Sequence, residues 1–153
     1  MFLAAVLLSL IGRASSANPA LLGEWRSDHD LTMNFLRSNV RLKPNTDEFL
    51  DQFIGNLTLT ISENQIKYFM PDMDVGIQGK THHMVGINNE RTPYKILYAS
   101  KNVIVVSGKE PVAGHPTVTT FNFDGPDIMW IYTGGADKAA PDSHFREYFR
   151  RIH

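Results

Sequence analysis

No cysteine occurs among the 153 residues, which removes disulfides, thiolate nucleophiles, iron–sulfur clusters and cysteine-based zinc sites together. No basic run exceeds Arg150-Arg151, and 15 Lys+Arg stand against 16 Asp+Glu, so there is no electrostatic footprint for nucleic-acid phosphates or anionic lipid. No apolar run reaches the roughly 20 residues that a membrane-spanning helix needs. Internal repeats and low-complexity tracts are also missing. What is there, 42% hydrophobic and 10% aromatic residues with 11 Gly and 8 Pro, suits one globular domain with its own core and leaves no room for two.

The first twelve residues, from Met1 to Gly12, form an apolar run of the length of a signal-peptide core. Ser15-Ser16-Ala17 places small residues three and one before a cut ahead of Asn18, and Pro19 discourages any continuing helix. The expectation is a signal peptide over 1–17 and a mature domain over 18–153, periplasmic or secreted. A buried N-terminal helix is the alternative, since Arg13 interrupts the segment and no Lys or Arg precedes the apolar run. Without cysteine there is no lipid attachment after cleavage. Losing Arg13 leaves 14 Lys+Arg against 16 Asp+Glu, a mature net charge of −2.

Leu21 to Ser27 reads as a short strand carrying Gly23-Glu24-Trp25. Leu31, Phe35 and Leu36 then recur at helical spacing, and Asp30 is placed to cap a helix over Leu31 to about Asn39. A second helix follows Pro44. Asn45 and Glu48 have capping-box spacing, Phe49, Leu50, Phe53 and Ile54 share one face, and Gly55 stands at the C′ position. This pair predicts a lid packed across one end of a sheet or barrel.

From Asn56 onward the chain divides into short alternating runs between turn residues, the all-β pattern. Predicted strands are Leu57–Ile61, Gln65–Met70, Gly79–Val85, Tyr94–Tyr98, Asn102–Ser107, Thr117–Phe123 and Asp127–Tyr132. Together with the strand at Trp25 they make about eight. Asp74 and Gly76 are placed in a wide loop, and Gly108 to Pro116 in another. Ala136–Ala140 reads as a surface loop. The last segment is ambiguous: Phe145, Tyr148, Phe149 and Ile152 share a helix face, whereas Arg146, Tyr148, Arg150 and Ile152 alternate as a strand.

A Gly-x-Trp on the first strand, a series of short antiparallel strands and the aromatic, arginine-rich terminus Tyr148-Phe149-Arg150-Arg151-Ile152 together resemble the lipocalin-like (calycin) group in its small bacterial exported form. The resemblance implies an up-and-down antiparallel barrel, mainly β, with the helical pair inserted after the first strand. It implies that Trp25 stacks under Arg150 or Arg151 at the closed end, a structural role. It also implies that the terminal segment is a barrel-closing strand. The inserted helices and the lack of disulfides depart from the group's pattern.

No catalytic constellation emerges. His82 and His83 are neighbours on a predicted strand and point to opposite faces, so they share no metal. Asp28-His29-Asp30 has residue types for acid–base chemistry, but its place before a helix favours capping. Asp142, Ser143 and His144 lack the glycine-flanked elbow of a serine hydrolase. His115, between Gly114 and Pro116, suits a solvated turn. Asn56-Leu57-Thr58 matches the N-glycosylation triplet at a strand start.

Strand parity groups Tyr68 with Ile66, Tyr98 with Tyr94 and Ile96, and Trp130 with Ile128 and Tyr132, and it leaves His83 facing inward. Aromatics with one polar tip orient amphipathic ligands in a pocket, and they also fill ordinary cores. Tyr68, His83, Tyr98 and Trp130 are therefore the candidate ligand-binding residues, with no cofactor, metal or catalytic group expected. An interior of about eight strands holds either packed side chains or one small ligand. The leading expectation is an exported, non-enzymatic binding protein for a small hydrophobic or amphipathic molecule. The alternative is an envelope interaction or structural protein whose barrel is filled.

Overall fold

The computed structural model describes residues 18–89, 91–110, 114–133 and 145–153. The segment read as a signal peptide, the loop expected at Ala136–Ala140, and Asp142, Ser143 and His144 lie outside them. Strand β1 (Gly23–Ser27) leads into α1 (His29–Asn39) and α2 (Pro44–Phe53). After them come β2 (Thr58–Ile61), β3 (Gln65–Met70), the hairpin β4 (Met73–Ile77) and β5 (Lys80–Met84), and the short β6 (Ile87–Asn88) and β7 (Thr92–Pro93). The chain continues through β8 (Lys95–Ala99), β9 (Val103–Lys109), β10 (Pro116–Phe123), β11 (Ile128–Tyr132) and β12 (Arg146–Ile152).

Ten of these strands form one antiparallel sheet that curls into a half-barrel, in the order β6, β3, β2, β1, β12, β11, β10, β9, β8. The first and last strands of the chain pair at its middle, with Trp25 opposite Arg151. β7 pairs with β3, and Tyr94, whose amide donates to Asn64 O at 2.9 Å, carries the chain directly into β8 against β9. Segment 92–99 therefore touches strands at both ends of the sheet.

Alternation sends one side of each strand into the concave face. Trp25, Leu59, Ile61, Ile66, Ile104, Val106, Phe121, Phe123, Met129 and Phe149 meet there as one buried cluster, joined by Leu21 and Tyr94. The terminal segment is a strand, because Arg146 to Tyr132 and Arg150 to Ile128 pair in register and Phe149 is needed in the core. Tertiary pairing overrides its helical period. One expected loop is a strand instead, and another is shortened at both ends. Met73–Ile77 pairs with β5 through Val75, which is fully buried, and Gly108, Lys109 and Pro116 extend β9 and β10. Pro116 fits as the first residue of its strand, where its missing N–H is tolerated.

The helical pair sits where β1 stops. Asp28 N donates to Tyr148 O and Tyr148 N to Thr32 Oγ1, so α1 replaces β1 as the neighbour of β12. Met33, Leu36 and Ile54 form a second core with Leu50, Phe53 and Phe145. The cap of α1 is Asp28 rather than Asp30: its carboxylate accepts from Leu31 N at 3.0 Å and also from Arg150 Nε at 2.9 Å. α2 begins at Pro44 with no side-chain cap, and Gly55 takes the left-handed C′ position at φ +95°. The hairpin β4–β5 leans on α2, held by the Gln52 amide bonded to both the N and O of Gly76.

Because Asp28 ties a helix start to the last strand, Asp28→Ala should cost about 1–2 kcal/mol in a thermal melt, at the upper end for a lost N-cap. Asp28→Asn, which keeps the cap without the charge, should retain most of that. Equal losses in the two variants would assign the stability to the Arg150 pair instead of the cap.

Candidate functional site

The end of the half-barrel at Trp25 carries the most developed side-chain network. The Arg151 guanidinium lies 4.1 Å from the Trp25 ring centroid. Of the two arginines named by the resemblance, Arg151 makes the stack, because it shares the inward parity of Phe149 and Trp25. Arg150 faces outward to Asp28. Arg151 also donates to the carbonyls of Leu22, Ala20 and Pro126, so one cation ties two further chain segments to β12. Gly23 makes the approach possible, since a Cβ there would lie 2.9 Å from Arg151 Nη1 and the backbone is left-handed at φ +122°. The Trp25 indole N–H donates to Leu21 O at 3.0 Å, and the ring meets Phe123 edge-on at 6.1 Å.

The interior expected to hold a ligand is packed. Tyr68 points inward as parity predicts and is half-buried against the core. Burial, with the charge of Glu110 as a lesser cause, raises its phenol above the usual tyrosine range. Tyr94, whose hydroxyl donates to Ser62 O, and Tyr68 border a residual void of ≈ 10 Å³ with Val106 and Thr119. That is at the lower limit for a single water, for which about 10–15 Å³ is required.

The other three candidates lie elsewhere. Trp130 is on the outer face of β11, because Met129 and Ile131 supply the inward positions. Tyr98 is 57% exposed: the register of β8 against β9 slips between Ile96 and Tyr98, and the irregularity turns Tyr98 outward opposite Val105. His83 lies on the β4–β5 hairpin, off the main sheet, where its Nδ1 meets Asp74 Oδ1 at 2.8 Å in solvent. The structure thus brings only Tyr68 to the interior and does not assemble the four residues into one site.

The remaining sequence candidates have structural occupations. His29 Nδ1 bonds Asp30, which is the main reason its pKa is raised, and its Nε2 reaches Asp51 O. Asn56 Nδ2 donates to Gln52 O and Phe53 O and closes the end of α2. His115 is exposed, with its carbonyl accepting from Glu110 N. Among the described residues no cluster of three or more metal-ligating side chains occurs.

One buried group went unnoticed in the sequence. Glu147, only 7% exposed, shares the inward face of Phe149 and accepts a 2.6 Å hydrogen bond from Ser27 Oγ, which itself accepts from Gly55 N. Desolvation pushes its carboxyl up to about 7, against the opposing effect of the Ser27 bond. The signal was available once 146–152 is treated as a strand: parity puts a carboxylate in the core. Ser27, Glu147 and Gly55 form a strut between β1, β12 and the end of α2, with no histidine or lysine among its hydrogen-bond partners to activate the hydroxyl.

Two surface depressions complete the picture. A groove of ≈ 370 Å³ follows Arg26, Asp28, His29, Asp30 and Arg150. A wider one of ≈ 1360 Å³ runs past Pro19, Leu22, Pro93, Tyr94, Ile96 and Pro116. No helix among the described residues is long and apolar enough to cross a membrane. Compared with protein-family models, curated proteins and solved structures, the chain matches none.

Proposed function

We propose that this chain is an exported, non-enzymatic, lipocalin-like barrel protein that acts through its outer surface, its interior being structural. If the continuous segment 92–99 counts as one strand, the sheet becomes an eight-strand up-and-down barrel, with β3 on one side of that segment and β9 on the other. The Trp25–Arg151 stack supports the kinship. Export rests on the apolar leader and the Ser15-Ser16-Ala17 site.

The observation that carries the surface-acting reading is the core packed around Trp25, Phe121 and Phe149, beside which Tyr68 and Tyr94 border a void of only ≈ 10 Å³. Native mass spectrometry of the protein purified from its own host should give the mass of the polypeptide alone. A co-purifying lipid, haem or pigment would overturn the reading. The wide groove at Tyr94 and Ile96 favours the second reading, a small amphipathic ligand held in that groove, and a retained mass would direct attention there.

A further inference from the structure

The outer face of the last five strands carries an aligned stripe. Cross-strand register places Tyr98 opposite Val105, Val105 opposite Thr120, and Tyr132 opposite Arg146. The pairing of Asn122 with Trp130 puts Thr120 beside Tyr132 and so completes the row. At about 4.8 Å per strand the row spans roughly 19 Å. Val118, 62% exposed, flanks it, and Tyr98 and Tyr132 are both more than half exposed.

Its end is chemically unusual. The Arg146 guanidinium lies 4.1 Å from the Trp130 ring, 4.7 Å from Phe35 and 5.7 Å from Tyr132. Its Nε is buried with no hydrogen-bond partner, and its polar neighbours are the hydroxyls of Tyr132 and Tyr148. Arg37, Arg150 and Arg151 each have a carboxylate within 4.0 Å; among the described residues Arg146 has none. Three aromatic walls fix the orientation of a planar cation that has no carboxylate within 4.0 Å among the described residues.

We infer that this stripe docks an extended segment of a second protein, apolar along its length and bearing one carboxylate that pairs with Arg146. The inference rests on the surface-acting reading and adds the chemistry of the partner. Three features select this occupant. The face is convex, whereas small molecules take concave sites. Exposed tyrosines and a tryptophan around an arginine are the residue types that dominate protein interfaces. A second copy of the chain fits poorly on charge, because the described residues of the stripe include no acidic side chain. A two-fold self-pairing would leave both guanidinium groups unmatched.

The probe is a random 12-residue peptide library displayed on phage, selected on the full mature chain and counter-selected on Arg146→Gln. Recovered peptides should contain Asp or Glu flanked by apolar residues. Changing that acid to its amide should weaken binding about tenfold or more, and the preference should vanish in Arg146→Gln. On ¹⁵N-labelled protein the same peptides should shift the Arg146 Nε–H and Trp130 indole signals. Tyr98→Ser, four strands from the cage, should lower affinity while keeping the acid preference, which keeps the test open if Arg146→Gln is unstable. Recovery of peptides without acid enrichment, equal binding to Arg146→Gln, or no recovery at all overturns the inference. So does self-association abolished by Tyr132→Ser. A retained ligand in mass spectrometry bears on the interior alone, so the two failures are distinguishable.

Discussion

Trp25→Ala should cost about 3–5 kcal/mol, the range for emptying a buried tryptophan site. Since a small domain holds only about 5–15 kcal/mol in total, the variant should be partly unfolded at ordinary temperatures. The indole is fully buried, so its removal takes away the whole ring, the edge contact with Phe123 and the bond to Leu21 O. It also strips the stacking surface from Arg151, whose bonds to backbone carbonyls and ion pair with Asp127 then have to orient it without the ring. Urea unfolding followed through Trp130, the remaining tryptophan, measures the loss. Arg151→Ala should cost less, and the double variant should fall short of additivity by about 0.5–2 kcal/mol, the coupling of a desolvated cation–π pair. Full additivity would mean that ring and guanidinium are merely adjacent. A Trp25→Ala variant as stable as the parent would remove the closed-end assignment and, with it, the strongest structural support for a lipocalin-like reading.

The legible parts of the fold were those set by local chemistry. Gln65–Met70 is a strand with the bounds its alternation predicts, Gly55 ends α2 in the left-handed conformation that glycine accepts, and Trp25 meets an arginine of the last strand. What failed was facing. Trp130 and Met129 are adjacent apolar residues on one strand, and nothing in Ile128–Tyr132 tells which parity is inside. The sheet resolves it by placing the flexible Met129 in the core and leaving the aromatic set outside. Tyr98 was misplaced by a single irregularity, because a one-residue slip exchanges the two faces of a strand. His83 was misplaced for another reason: its strand pairs with Met73–Ile77, whose Asp and Gly had suggested a loop, so the hairpin never joins the main sheet. The packed interior was legible only as one of two possibilities, since side-chain volumes decide it and periodicity carries no volume.

Glu147 makes the stability of the protein fall as pH rises through neutrality. In the fold its carboxyl titrates at about 7, against an ordinary 4.5, because the site between Phe149 and the end of α2 withholds water from the charge. Between those two values the folded chain keeps a proton that the unfolded chain has released, so the stabilisation is full below about pH 4.5, declines through the interval and is gone above 7. From pH 5 to pH 8 the loss should be about 2–3 kcal/mol. His29, raised mainly by its bond to Asp30, slopes in the same direction, while the lowered carboxyl of Asp47 acts only in more acidic solution. Glu147→Gln isolates the buried carboxyl, since the amide oxygen still accepts from Ser27 Oγ and carries no charge at any pH. The variant should be more stable than the parent by about 3 kcal/mol at pH 8 and by no more than about 1 kcal/mol at pH 5, in urea titrations at the two values. If Glu147→Gln and the parent keep the same slope, the titrating group lies elsewhere and Glu147 is ionised in the fold. The hydroxyl of Ser27 would then be balancing a buried charge already at pH 5, and Ser27→Ala, which removes that donor, should cost about 2–3 kcal/mol there. With Glu147 neutral at pH 5, Ser27→Ala should cost about 1–2 kcal/mol there, the worth of one buried hydrogen bond with its partner left behind, and more at pH 8, where the carboxyl is largely ionised and loses a bond that favours its charged form.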